Sequence, residues 1–362
     1  MIDHILFFEY ASISMIPFSR KEQFIALYPD VPAFRFRQLE EAWFDDAKHC
    51  FSDISNIPLS MREQLDAHIP WVSYVRVQLL ESVKKDTYKA VLEYADTKCV
   101  ETVLMKNARG QWTVCVSSQV GCAMACTFCA TGKMGFTRNL LVDEIIDQYR
   151  FWRIFLAEHP DISARISNIV FMGMGEPLAN YDAVKETIRQ ICTYTDIGLT
   201  HITVSTVGLL PMLYKILDDE VWPAVRLAVS LHSADTATRK KLMPSSSDVF
   251  LETLVTWTKQ YFIKHKSRRR HLTFEYVMLS GINDTEYHAQ TLIRFARRVG
   301  KVRINLIPYN VTGAAYQNSL PEHCAHFQKQ LHDAGIVVTR RRTMGEDIAA
   351  ACGQLIVEKN RE

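Results

Sequence analysis

A chain of 362 residues, 48% of them hydrophobic, can bury a substantial core and suits one large domain with a small appendage. A net charge of +2 permits a nucleic-acid partner without requiring one. Nine cysteines, odd in number and partly clustered, argue against a disulfide framework and for reduced thiols in metal or redox chemistry.

The opening MIDHILFFEYASISMIPF is interrupted by Asp3, His4 and Glu9 and has no positive stretch before it, so no signal peptide is expected. No uncharged run approaches ~18 to 20 apolar residues, which predicts no membrane span and a cytoplasmic location. Residues 1–75 read as short helical pieces, FRQLEEAWFDDA and SMREQLDAHI among them, broken by Pro29, Pro32, Pro58 and Pro70. They predict a small helical accessory domain. Over 76–107 the period falls to two, in TYKAVLEYA and CVETVLM, and WTVCVSSQV continues it into the main domain, 108–355. A tail, 356–362, follows.

After the cysteine stretch GCAMACTFCATGKMGFTRN the pattern alternates. Amphipathic LVDEIIDQYRFWRIFLAEH precedes ISNIVFMG, YDAVKETIRQICTY precedes HITVSTVG, and LLPMLYKILDD precedes AVRLAVSLH. FLETLVTWTKQYF then HLTFEYVML, EYHAQTLIRFARRVG then VRINLIPY, and HCAHFQKQLHDAG then IVVTRR continue the series. Such alternation implies parallel strands joined by right-handed crossovers, and some six units suggest an α/β partial barrel. GMGEP, VST, SLH and IPYN each end a predicted strand, where such a body keeps its reactive face.

Cys122, Cys126 and Cys129 lie within eight residues. Zinc would need a fourth ligand, and no histidine lies between His68 and His159, although Cys115 is a candidate. The spacing of four and then three more naturally caps three irons of a [4Fe–4S] cluster and leaves the fourth iron open. CxxxCxxC ahead of a parallel α/β alternation resembles the radical S-adenosylmethionine (SAM) superfamily, in which SAM chelates the open iron and is cleaved reductively. That resemblance implies SAM contacts at Gly175, Glu176, Ser205, Ser230, Leu231, His232 and Asn310. Taken singly, each also has an ordinary explanation as a turn, cap or core residue.

TMGEDIAAACGQL around Cys352, VCVSSQVGC around Cys115, VETV at Glu101 and FCATGKMGFTRNL together resemble the RlmN/Cfr family of RNA adenosine methyltransferases, over about Phe34 to Leu355. The resemblance implies a radical SAM partial (β/α)6 barrel with a small N-terminal helical domain, acting on C2 of adenine in large-subunit rRNA, tRNA or both. Two SAM molecules would be used per turnover, one to methylate Cys352 and one to generate the radical. Glu101 would remove the ring proton, and Cys115 would form a transient disulfide with Cys352 on release. An electron donor such as flavodoxin or ferredoxin and a thiol reductant are implied partners, and a monomer is expected. The alternatives are the C8 branch of the same family, a radical SAM enzyme with another substrate, and a noncatalytic metal-dependent RNA-binding protein.

For RNA contact the sequence offers Lys264 to His271 and Arg340 to Arg342, which read otherwise as solvated helix ends, and Arg35, Phe36, Arg37 and Trp43, which read equally as core and rim. No separate RNA-binding module is recognisable, and a flipped-out adenosine is the expected substrate. Cys50, Cys99, Cys192 and Cys324 match no family motif and are read as structural. Departures from the family are SSSDVF after Pro244, Ala349 before the final alanines, a slightly longer stretch between Glu101 and Cys115, and the extreme N-terminus.

Overall fold

The computed structural model describes residues 18–162, 165–265 and 272–355, with the backbone of Leu6–Phe7 (β1). Three helices open it: α1 (Arg20–Leu27), capped by Ser19 in a reciprocal box with Glu22; α2 (Phe34–Trp43); and α3 (Leu59–His68), which starts directly after Pro58. Phe24, Trp43, Phe51 and Trp71 are buried together, with Phe36 packed edge-on against Trp43. Of the two readings open for these rings, RNA stacking surface or core, Trp43 takes the second, buried in the small helical region, with half-buried Phe36 packed against that core. Arg35 bonds Gln38 and the Asn56 carbonyl, whereas Arg37 is exposed.

This helical region shares one hydrophobic core with the main body. Buried ions also join the two. Arg20 pairs with Asp147 at 3.0 Å and donates to the Trp71 carbonyl at 2.6 Å, while Arg150 donates to the Trp43 carbonyl at 2.7 Å.

The strands β2 (Tyr74–Glu81), β3 (Thr87–Tyr94) and β4 (Cys99–Lys106) form an antiparallel ribbon. It contains one strand more than the periodicity reveals, and it extends the main sheet through β5 (Trp112–Val116). WTVCVSSQV is not one strand. The Gln148 amide receives from the backbone N–H of Ser117 at 2.7 Å and donates to its carbonyl at 3.0 Å, which diverts the chain into a short hairpin, β6 (Gln119–Gly121) with β7 (Phe136–Asn139). The helix α4 (Ala130–Lys133) lies between them.

From β5 onward the alternation holds. The elements run α5 (Val142–Glu158), β8 (Ile166–Phe171), α6 (Tyr181–Tyr194), β9 (Ile202–Thr206), α7 (Leu210–Asp218) and β10 (Arg226–Ser230). They continue through α8 (Thr236–Leu242), α9 (Phe250–Lys264), β11 (Leu272–Met278), α10 (Glu286–Val299), β12 (Val302–Pro308), α11 (Pro321–Asp333) and β13 (Val337–Arg340). The strands pair in the order β1-β2-β3-β4-β5-β8-β9-β10-β11-β12-β13, and every pair from β5 to β13 is parallel. Six crossovers therefore wind in one direction without reversing, and among the described residues the sheet does not close. That is the partial (β/α)6 barrel expected from the sequence.

No helix among the described residues is long and apolar enough to cross a membrane. Most of the basic run Lys264 to His271, from 266 onward, lies outside the described residues.

Candidate active site

The strand ends and the cysteine loop enclose a cavity of about 980 Å³. Gly121 starts the loop with φ +73°, and a Cβ there would fall 1.9 Å from the Gly135 carbonyl oxygen, so only glycine lets the two hairpin arms meet. The loop is stitched on both sides: Cys122 N–H donates to Gly135 O at 2.8 Å, Thr127 N–H to Leu242 O at 2.9 Å and Ala130 N–H to Gly353 O at 2.8 Å. Cys122, Cys126 and Cys129 all line the cavity. Among the described residues no three His, Cys, Asp or Glu are placed to hold a single metal ion. The thiols instead border a shared space, the donor set a multi-iron cluster takes, so the residues fit a [4Fe–4S] group. Burial pushes the Cys122 thiol up to about 11 and Cys126 higher still, with neighbouring thiols adding to the effect. Metal binding would displace those protons.

Of the strand-end residues singled out in the sequence, Gly175, Glu176, Ser205, Ser230, His232 and Asn310 line this cavity. Leu231 does not; it is wholly buried and its N–H donates to the Glu275 carbonyl at 3.0 Å. Burial raises the Glu176 carboxyl to about 7, against donation from the Thr206 hydroxyl and the N–H groups of Val207 and Leu178. It is a buried acid already surrounded by donors. His232 adopts a left-handed φ of 54°, accepts from Val277 N–H through Nδ1 at 3.0 Å, and packs edge-on against Phe128. Burial and then Arg239 lower its pKa to about 3, so the ring is neutral with its proton on Nε2.

A second cavity of about 550 Å³ adjoins the first, and Asn310, Arg341 and Cys352 line both. Cys115 lines the second. Strand register explains how it gets there: Cys115 lies opposite Val103, which lies opposite Lys89, so these side chains share one face of the sheet. Glu101, two residues from Val103, is on the same face. It lies level with the end of β5, where Ser117 Oγ donates to its carbonyl at 2.6 Å. Glu101 lines neither cavity; it is buried, with Lys89 Nζ donating to its Oε1 at 3.1 Å.

Cys352 arrives from the far end of the chain. Asn310 Nδ2 donates to its carbonyl at 3.0 Å, and Thr131 Oγ1 to Leu355 O at 2.6 Å, which fastens the C-terminal segment to the cysteine loop. Its side chain is accessible to solvent, yet it sits in a concavity dense with protein atoms. That environment raises its thiol, with Arg341 opposing the rise. Burial pushes Cys115 up to about 12, with the same opposition. All nine cysteines are free thiols. Arg340 and Arg342 are exposed, and Arg342 joins Arg341 at the second cavity.

Glu275 and Arg239 escaped the sequence reading, and Arg341, grouped there with Arg340 and Arg342 for RNA contact, instead lines both cavities. Glu275 had a visible signal, a carboxylate inside the otherwise apolar strand HLTFEYVML, and it proves buried, bonded to Asn305 Nδ2 at 2.8 Å.

A single-wound parallel barrel, with three thiols and a row of polar strand ends around one cavity, defines a radical SAM enzyme. The model for the radical SAM superfamily matches residues 116–292. The chain is 41% identical over 285 residues to a protein of Synechococcus named as a probable dual-specificity RNA methyltransferase RlmN, covering 77% of this chain and 78% of that one. It is 40% identical to the dual-specificity RNA methyltransferase RlmN of Desulfotalea psychrophila, covering 78% and 77%. It is similar to the crystal structure of a radical SAM methyltransferase from Sphaerobacter thermophilus, with TM-score 0.82, 34% identity and coverage of 92% and 96%. The chain belongs to the RlmN family of radical SAM RNA methyltransferases. A [4Fe–4S] cluster and SAM are the cofactors of such enzymes.

Proposed function

We propose that the protein methylates an adenine base of RNA at C2, carrying the transferred carbon on Cys352. The observation that supports this most is the shared cavity of Cys115 and Cys352 beside the cysteine-lined one. An enzyme needing only a SAM-derived radical has no use for a second thiol pair there. C2 of adenine is an electron-poor carbon without a lone pair, so direct attack on a sulfonium methyl group is closed to it.

When bound, the cluster and SAM supply methyl groups and one-electron cleavage of the sulfonium. The chain's own residues divide the remaining work. Glu176, Ser205, Ser230, His232 and Asn310 hold SAM, Glu176 being suited to its ammonium group. The Cys352 thiolate would accept a methyl group from one SAM. That carbon would give up a hydrogen atom to the radical drawn from the second SAM and bond to the ring, the surplus electron returning to the cluster. The adduct would keep the ring hydrogen until Glu101 takes it as a proton at the start of release. Cys115 then attacks the Cys352 sulfur: an S–S bond forms, the S–C bond breaks, and its electron pair leaves with the carbon, which takes a proton to become methyl. A thiol reductant restores the pair, and an electron donor such as flavodoxin or ferredoxin serves the cluster. Two SAM molecules are consumed per turnover.

The relatives are named dual-specificity enzymes, and we extend this to rRNA and tRNA as substrates of a cytoplasmic monomer. Residues 1–75 are assigned to RNA contact through their exposed rim, together with Arg340 and Arg342. The test is anaerobic reconstitution with iron and sulfide, then dithionite, SAM and deproteinised rRNA or tRNA, with nucleoside mass spectrometry. The expected product is 2-methyladenosine, absent with Cys352→Ala. 8-Methyladenosine would move the enzyme to the other branch, and full activity of Cys352→Ala would refute the carrier role.

A further inference from the structure

One side chain links the two groups that the reaction must bring together. Lys89, on β3, is buried, and its ammonium donates to Glu101 Oε1 at 3.1 Å and to the Ala349 carbonyl at 3.2 Å. Ala349 belongs to the loop that delivers Cys352, and it adopts the left-handed conformation, φ 48° and ψ 42°, that an L-residue holds only when its surroundings enforce it. Gly345, at the start of the same loop, also has positive φ, and a Cβ there would fall 2.6 Å from Thr87, which lies two residues before Lys89 on the same strand face. The ribbon strand thus grips the cysteine loop at two points.

We propose that Lys89 is a positioning residue that fixes Glu101 and the Cys352 loop in register, so that the carboxylate meets the ring proton of the Cys352-bound adenine. This role rests on the function proposed above. It follows from geometry: Lys89 is opposite Val103 and diagonal to Glu101, both are on the face that carries Cys115, and a lysine long enough to span from sheet to loop bonds both. A bonded, buried ammonium also holds the Glu101 carboxylate in one rotamer and offers it the counter-charge that an ionised base needs in a dry site. The step served is one proton transfer: the ring C–H bond breaks, its pair stays in the ring and the proton moves to the carboxylate.

The test separates formation of the Cys352–adenine adduct from its release, each measured on reconstituted protein, with Cys352 methylation read by peptide mass spectrometry. In Lys89→Met, release is expected to slow roughly 10²-fold, more than adduct formation, so that protein-bound RNA accumulates. Lys89→Arg should recover most of the loss. Adding Lys89→Met to Glu101→Gln should slow release no further, and amide hydrogen exchange over 345–352 should rise in the metal-free Lys89→Met protein. Equal slowing of formation and release, multiplicative effects in the double variant, or unchanged exchange would each overturn the role. Wild-type protein that modifies RNA without ever carrying a methyl group on Cys352 would overturn the underlying function instead, and this role with it.

Discussion

Cys115 and Cys352 line the same cavity although one lies on the first parallel strand and the other follows the last, and the same guanidinium, Arg341, opposes the burial that raises both thiols. Arg341 is held in place by its backbone, whose N–H donates to Leu306 O at 2.8 Å, so the charge belongs to the fold. Only the thiolate is nucleophilic, whether toward a sulfonium methyl group or a sulfur.

Replacing Arg341 with glutamine removes that counter-charge and leaves burial unopposed. At pH 8 to 9 the metal-free variant is expected to alkylate at Cys352 roughly 3- to 10-fold more slowly than wild type, because without the guanidinium less of the thiol is ionised. Peptide mass spectrometry after timed iodoacetamide treatment reads this directly. Equal rates would mean that the guanidinium does not govern the thiol.

Glu176 makes stability depend on pH in an unusual direction. Its carboxyl is raised to about 7 in the fold, first by burial, against 4.5 when free. A raised acid favours the folded state while protonated, so its contribution is complete below about pH 4.5 and is lost as pH rises through about 7. The gap corresponds to roughly 3 kcal/mol at about 1.4 kcal/mol per pH unit. Ligand-free Glu176→Gln should therefore gain on wild type by about that amount between pH 4.5 and 8, while binding SAM less tightly. Denaturant midpoints across this range check the first part, and a pH-independent difference would refute it.

The buried ions between the helical region and α5 behave in the opposite sense. Burial raises the Asp147 carboxyl, but Arg20 and Arg150 outweigh it and bring it below the usual range, helped by Ser73 N–H at 2.7 Å. The contribution is thus present above the ordinary carboxylate value and lost as pH falls through the lowered one. Asp147→Ala would leave two buried guanidinium groups without their shared partner and should cost roughly 3 to 5 kcal/mol. Thermal unfolding near neutrality is the check, and a change below about 1 kcal/mol would show the network to be dispensable.

Much of this architecture is legible in the sequence because it is periodic. Crossover helices such as Tyr181–Tyr194 and strands such as Ile166–Phe171 carry their pattern in consecutive residues, and the strand-end motifs follow from where the strands stop. The grouping of Cys122, Cys126 and Cys129 is local and was equally readable. What escapes is decided by distant partners. Nothing near Ser117 announces that Gln148 will break its strand, and Trp43 looks as ready for a base as for a core until Arg20 stacks on it at 4.3 Å. Arg341 looked like one of three surface arginines, because a triplet of charges does not reveal which member points inward.

Arg239 is the other inward arginine, and it has carbonyls in place of a carboxylate. Its Nη1 donates to Ser230 O at 2.7 Å and Leu231 O at 2.5 Å, Nη2 to Val207 O at 2.8 Å and Nε to Ser246 Oγ at 3.0 Å, with the guanidinium 3.8 Å from the Phe250 ring centre. One planar fork therefore ties the ends of β9 and β10, where Ser205 and Ser230 meet the cavity. Burial lowers its pKa to about 9, with Cys126 opposing, so it stays charged at pH 7. Arg239→Met keeps the apolar stem but removes the guanidinium donors from three carbonyls, of which Leu231 O keeps Ser233 N–H at 2.7 Å; at about 1 to 3 kcal/mol for each carbonyl left unbonded, a loss of roughly 2 to 5 kcal/mol and weaker SAM binding are expected. Arg239→Lys should rescue little, since an ammonium cannot reproduce the fork. Chemical denaturation and calorimetric titration with SAM test both parts, and a lysine variant equal to wild type in both would show that charge alone, rather than the forked geometry, holds the strand ends.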